Sequence, residues 1–142
     1  MTVSPSAERR TSHILNLLTV PAQAMFDDRS TLLRGIVGFA GATAASASGL
    51  ALGVDRVRMA VGTHFPLHIH AGDHLLYILS GTGFLHFDGT DHQLSPGDSI
   101  FVPAEHPHGV RGPERGDPLE FLAFGVPHHP VGSATRMTVV HA

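Results

Sequence analysis

The sequence predicts an all-β domain, a sandwich or a barrel, on three observations. Apolar runs rich in Val, Leu, Ile and Phe are short and recur about every ten residues. The 16 Gly and 10 Pro punctuate them. No long stretch carries the apolar period of an amphipathic helix.

Taken in order, the predicted strands are His13 to Val20, Leu32 to Phe39, Ala51 to Ala60, Leu67 to His70, His74 to Leu79, Gly83 to Asp88, His92 to Ser95, Ser99 to Val102, His108 to Arg111 and Leu119 to Phe124. Asp88-Gly89 suits a two-residue hairpin turn. Ser95-Pro96-Gly97-Asp98 places Pro and Gly where a type II turn requires them. Gly41 to Gly49, rich in Ala and Ser without a large side chain, reads as a flexible loop. Met137 to Val140 can close the sheet as an edge strand after an irregular tail. One domain follows: an arm over 1–30 that can supply an edge strand, a barrel over 31–125, and a tail over 126–142.

The composition bounds the chemistry. Cys is absent, which excludes disulfides, thiolate nucleophiles and sulfur-based metal sites. All nine basic residues are Arg, so lysine Schiff bases are excluded as well. A formal charge of −3 without a block of like charges gives no footprint for nucleic acid or an anionic membrane, and the expected partner is a small molecule. No window resembles a membrane span, and the N-terminus MTVSPSAERR has no signal-peptide core, so the cytoplasm is the expected compartment. Against these absences stand 12 His in 142 residues.

Four of them form a constellation. In GTHFPLHIHAGDHLLYILSG, residues 62–81, side chains alternate along a strand, so His68 and His70 point to one side about 7 Å apart. After Ala71-Gly72-Asp73 the chain is expected to return as a neighbouring strand about 4.8 Å away and to bring His74 to the same side. In GDSIFVPAEHPHG, residues 97–109, the constrained turn from Pro103 to Pro107 leads to His108, the natural fourth ligand of one divalent ion. A helix would pair His70 with His74 but strand His68 on another face, and Pro66 and Gly72 oppose it.

These segments resemble the two motifs of the cupins. Gly62, His68, His70, His74 and Gly81 match the first, with His74 standing where Glu is usual. Gly97, Pro103 and His108 match the second, with Glu105 where Gly is usual and Gly112 where Asn is usual. The resemblance implies a double-stranded β-helix, the jelly-roll barrel, around a metal ion held by His68, His70, His74 and His108. Four neutral ligands leave the charge of the ion uncompensated and favour anionic substrates. Imidazoles suit iron, zinc, nickel and copper, with manganese admitted by availability.

The functional expectation is a metal-dependent enzyme acting on a small anionic substrate, first of all a non-haem iron dioxygenase. The alternatives are a redox-neutral zinc or manganese isomerase, cyclase or lyase, and a non-catalytic small-molecule-binding cupin. Glu105, His106 and His64 are the candidate acid–base groups at the rim. Tyr77 is expected to face away from the ion. Arg56 and Arg58 share one strand face and would bind a substrate carboxylate only if that face were interior. His86, His92, His128, His129 and His141 are read as surface residues. A homodimer is expected to cover exposed strand edges, with Phe84 as an interface residue.

Overall fold

In the structure, a computed structural model that describes residues 14–45 and 51–140, eleven strands form two antiparallel sheets. In chain order they are β1 Ala22–Phe26, β2 Leu32–Ala45, β3 Ala51–Met59, β4 His64–Ile69, β5 Asp73–Ser80, β6 Gly83–Phe87, β7 Thr90–Leu94, β8 Ser99–Val102, β9 His108–Arg111, β10 Leu119–Val126 and β11 Thr138–Val139. The six-stranded sheet runs β1-β2-β3-β10-β5-β8 and the five-stranded sheet β11-β4-β9-β6-β7. After the β1-β2-β3 meander every connection but the β6–β7 hairpin switches sheets, as in a jelly roll. Among the described residues no helix is long and apolar enough to cross a membrane.

Alternation of side chains builds the core. On β5, His74, Leu76 and Ile78 are buried while Leu75, Tyr77 and Leu79 are exposed; on β10, Leu119, Phe121 and Ala123 are buried. The inward set of both sheets joins Met25, Ile36, Val57, Met59, Leu85, Val102 and Val110 in one apolar cluster. The expected turns form. Asp88 and Gly89 have φ of 52° and 76°, the pair of left-handed residues of a type I′ hairpin. Gly97, at φ 93°, closes its turn with a bond from Asp98 N to Ser95 O of 3.0 Å.

The structure departs from the sequence reading at three places. Within the predicted strand His13 to Val20, the described residues hold a turn instead: Thr19 N and Val20 N bond Asn16 O, and Leu18 N bonds Asn16 Oδ1. An Asn that captures backbone donors ahead of it competes with strand pairing, and the edge strand begins after Pro21. Second, the expected loop at Gly41 is a continuation of β2 to Ala45. A Cβ at Gly41 would lie 2.3 Å from Val54 O, so the small residue serves close strand approach. Third, β5 does not pair with β4. The chain crosses from one sheet to the other at residues 70–73, and β5 pairs with β10 and β8. His13, His141 and residues 46–49 of the expected loop lie outside the described residues.

Candidate metal centre

The two histidine segments meet because β4 pairs with β9, with His68 and His108 as direct partners across the ladder. His70 follows at the crossing and His74 comes from the facing sheet. All four side chains are buried.

Their ring nitrogens are arranged by backbone carbonyls. A bulge in the β4 ladder between Phe65 and His68 frees the carbonyl of Pro66, which accepts a bond from His68 Nδ1 at 2.6 Å. His108 Nδ1 donates in the same way to the carbonyl two residues before it, His106 O, at 2.9 Å. His70 Nδ1 donates to Arg136 O at 2.7 Å. A carbonyl can only accept, so each Nδ1 carries the ring hydrogen and each Nε2 presents a lone pair.

Those lone pairs converge. One nitrogen from each of His68, His70 and His108 lies within 4.8 Å of the other two, and His68 Nε2 stands 3.0 Å from His70 Nε2. Two imidazole nitrogens bound to one ion at about 2.0–2.1 Å each are ~3 Å apart, so the spacing is that of neighbouring ligands. No proton is available to bridge them near neutral pH. Burial, with the neighbouring imidazoles, holds His68 well below the ordinary histidine value. Burial and His74 push His70 down to about 2. Burial and then the Arg136 charge push His74 down to about 3, and burial lowers His108 too. Opposed lone pairs repel unless a cation lies between them, so the three histidines fit a metal ion and can form its site.

His74 lines the same cavity but is held differently. Its ring stacks face to face on His70, centroids 3.9 Å apart and planes 14° apart, and its nitrogens are outside the group of three. The cavity, of about 30 Å³, is walled by Met25, Val57, Leu76, Val110 and Phe121 beside the imidazoles, and by Arg136 and Met137 from the chain's C-terminal segment.

The rim candidates do not line the cavity. Glu105 is exposed, with its N–H bonded to His70 O at 2.8 Å. Its φ of 61° explains why Gly is usual at this place of the motif. His106 stacks on Phe87 and bonds Asp88 Oδ1 through Nε2 at 2.8 Å. His64 opens onto an outer groove shared with Phe84, His86 and Arg111. Tyr77 faces outward, as expected. Arg56 and Arg58 also lie outside the cavity, but Arg56 is buried, stacked over Phe39 and ion-paired with Glu120.

Sequence reasoning missed a second polar cluster. Asp55, fully buried, accepts bonds at Oδ2 from Arg136 Nη1 and His128 Nε2, both at 2.8 Å. Burial alone would raise its carboxyl; the His128 bond and the Arg136 charge overcome that and hold it below the usual carboxylate value. His128 is therefore not a surface residue, and neither is His129, which is half-buried with an unpaired, sealed Nε2. The signal was Asp55 at an inward position of β3, but its partners come from 73 and 81 residues away. His86 and His92 are exposed as expected.

Two antiparallel sheets closed around a buried cluster of imidazoles define a small β-barrel able to hold a metal ion. The family model for the cupin domain matches residues 55–125, and the chain belongs to that family. It is 35% identical over 60 residues to the dimethylsulfoniopropionate lyase DddQ of Ruegeria pomeroyi, covering 42% of this chain and 30% of the relative. It is also 35% identical over 69 residues to the oxalate-binding protein of Thermotoga maritima, covering 48% of this chain and 56% of the relative. The chain thus matches less than two thirds of the length of either relative. The fold is shared with the polyketide cyclase RemF of Streptomyces resistomycificus, at a TM-score of 0.68 and 18% identity over 90% of this chain and 84% of that one.

Proposed function

We propose that this protein is a metal-dependent cupin enzyme acting on a small carboxylate. The observation that carries the reading is the convergence of the Nε2 lone pairs of His68, His70 and His108, each fixed by a carbonyl behind its ring. These three would hold the ion, with His74 as the fourth donor. Iron, manganese and zinc head the candidates, followed by nickel and copper. A divalent ion there would supply a Lewis acid or, as iron, a redox centre. Apolar side chains wall the site beside the imidazoles. Glu105, tied through its amide to the carbonyl of His70, is the acid–base group the reading retains at the rim.

The substrate class rests on two supports. A cluster of neutral ligands leaves positive charge to attract an anion, and the two curated relatives are named for a propionate and for oxalate, both carboxylates. A lyase among them favours a redox-neutral reaction. The iron dioxygenase stays as the second reading, because an all-imidazole site with open positions suits oxygen chemistry. Metal analysis of protein purified without added metal, joined to a screen of small carboxylates under oxygen and under argon, separates the readings. Turnover under argon removes the dioxygenase. A ligand recovered unchanged removes the enzyme, and protein that binds no transition metal removes the metal centre.

We also propose a homodimer, through the outer face of the six-stranded sheet rather than through Phe84. Leu75, Tyr77, Leu79 and Phe101 are 39 to 59% exposed there. Leu75 pairs with Phe101 and Phe124, and Tyr77 with Leu122, so the apolar side chains are contiguous. Phe84 is half-buried under Arg111, 4.7 Å from its ring.

A further inference from the structure

Among the described residues Arg136 is the one charged residue lining the cavity, and it is only 6% exposed. A guanidinium has five N–H donors. Nη1 uses its two on Asp55 Oδ2 at 2.8 Å and His129 O at 2.9 Å. Among the described residues Nε and Nη2 donate to nothing, which leaves three donors in a buried group. They are not sealed in dead space either, because among the described residues the sole side-chain nitrogen or oxygen both fully buried and unpaired is His129 Nε2. A buried guanidinium that lines the cavity and keeps donors unpaired calls for an acceptor that enters with a ligand.

We infer that Arg136 anchors one carboxylate oxygen pair of the substrate through Nε and Nη2, beside the histidine-bound ion. The inference deepens the functional reading above and rests on it. Several features agree. The planar fork of Arg matches a carboxylate with two parallel bonds. Asp55, itself held by His128, and the carbonyl of His129 fix Nη1 of the guanidinium, so its free edge is oriented before a ligand arrives. The ion pair with Asp55 keeps the charge tolerable in the interior, while the donors remain available. The cavity is small, about 30 Å³. That selects a small head group and excludes a bulky acid unless the C-terminal segment moves.

The test titrates acetate, with acetamide as the uncharged control, into zinc-loaded and metal-free protein by calorimetry, and measures zinc content separately. The wild type should bind acetate at least tenfold more tightly than acetamide. The double variant Asp55→Asn/Arg136→Gln, which keeps a neutral hydrogen-bonded pair, should lose tenfold or more in acetate affinity at unchanged zinc content. Arg136→Lys keeps a cation beside Asp55 without the fork and should lose at least threefold; it carries the comparison if the double variant does not fold. Unchanged acetate affinity in a folded variant, or no preference for acetate in the wild type, overturns the inference. If the wild type holds no zinc, the metal reading fails by itself, and the metal-free titrations still decide the part played by Arg136.

Discussion

His70 Nδ1 donates to the carbonyl of Arg136 at 2.7 Å across 66 positions of sequence. The same residue, through its side chain, pairs with Asp55 on β3. The C-terminal segment therefore joins both sheets: Arg136 and His128 reach Asp55 in the six-stranded sheet, and β11 pairs with β4 in the other, with Val139 opposite His68. The orientation of one imidazole of the cluster depends on this strap.

The ligand assignment predicts unequal losses. His70→Ala or His108→Ala should lower metal content several-fold, measured by mass spectrometry of the dialysed protein. His74→Glu should retain the ion, because a carboxylate is an acceptable ligand and the family motif has Glu at that place, while activity changes. Full occupancy in both alanine variants would remove those rings from the site.

Acid should unfold the metal-free protein early. His70 and His74, at about 2 and about 3 when folded, titrate near 6.5 when unfolded. The unfolded chain therefore binds more protons below pH 6.5, and stability falls as pH drops from there towards the folded values. Each such histidine adds a slope of up to about 1.4 kcal/mol per pH unit. Asp55, held below its ordinary value of 3.8, adds a further loss only below about that pH. Urea midpoints that stay level between pH 7 and 5 would contradict the burial of neutral imidazoles.

Breaking the buried pair should damage fold and site together. Asp55→Ala leaves Arg136 without its counter-ion and should cost about 3–5 kcal/mol, read from urea unfolding. Because Arg136 O also holds His70, metal occupancy should fall in the same variant. A stability change under 1 kcal/mol would mean that the strap is not held by this pair.

The histidines were legible in the sequence because their spacing is local: alternation sets His68 and His70 on one side, and a short turn delivers His108 to the first inward position of β9. The strand turns at Asp88-Gly89 and Pro96-Gly97 were legible for the same reason. The sheet to which β5 belongs was not, since a three-residue connection can close a hairpin or cross a sandwich, and only packing of the whole core decides between them. Arg136, Asp55 and His128 were illegible because no periodicity links residues that meet through an irregular tail. Arg56 and Arg58 drew attention by sharing a face, but that face is the outer one.

Glu105 offers a test that separates backbone strain from chemistry. A non-glycine residue at φ 61° is uncommon, and the ordinary family residue at this place is Gly. Glu105→Gly should stabilise the fold by up to about 1 kcal/mol, since glycine adopts the left-handed conformation without steric cost although it loses more chain entropy on folding. Glu105→Gln keeps the strain and removes only the carboxylate charge. If the carboxylate works in proton transfer, both variants should lose turnover to a similar extent while only the first gains stability. Equal turnover in Glu105→Gln and wild type across the pH range would leave Glu105 a residue of the turn alone, and the proton-transfer group would have to be sought elsewhere around the cavity.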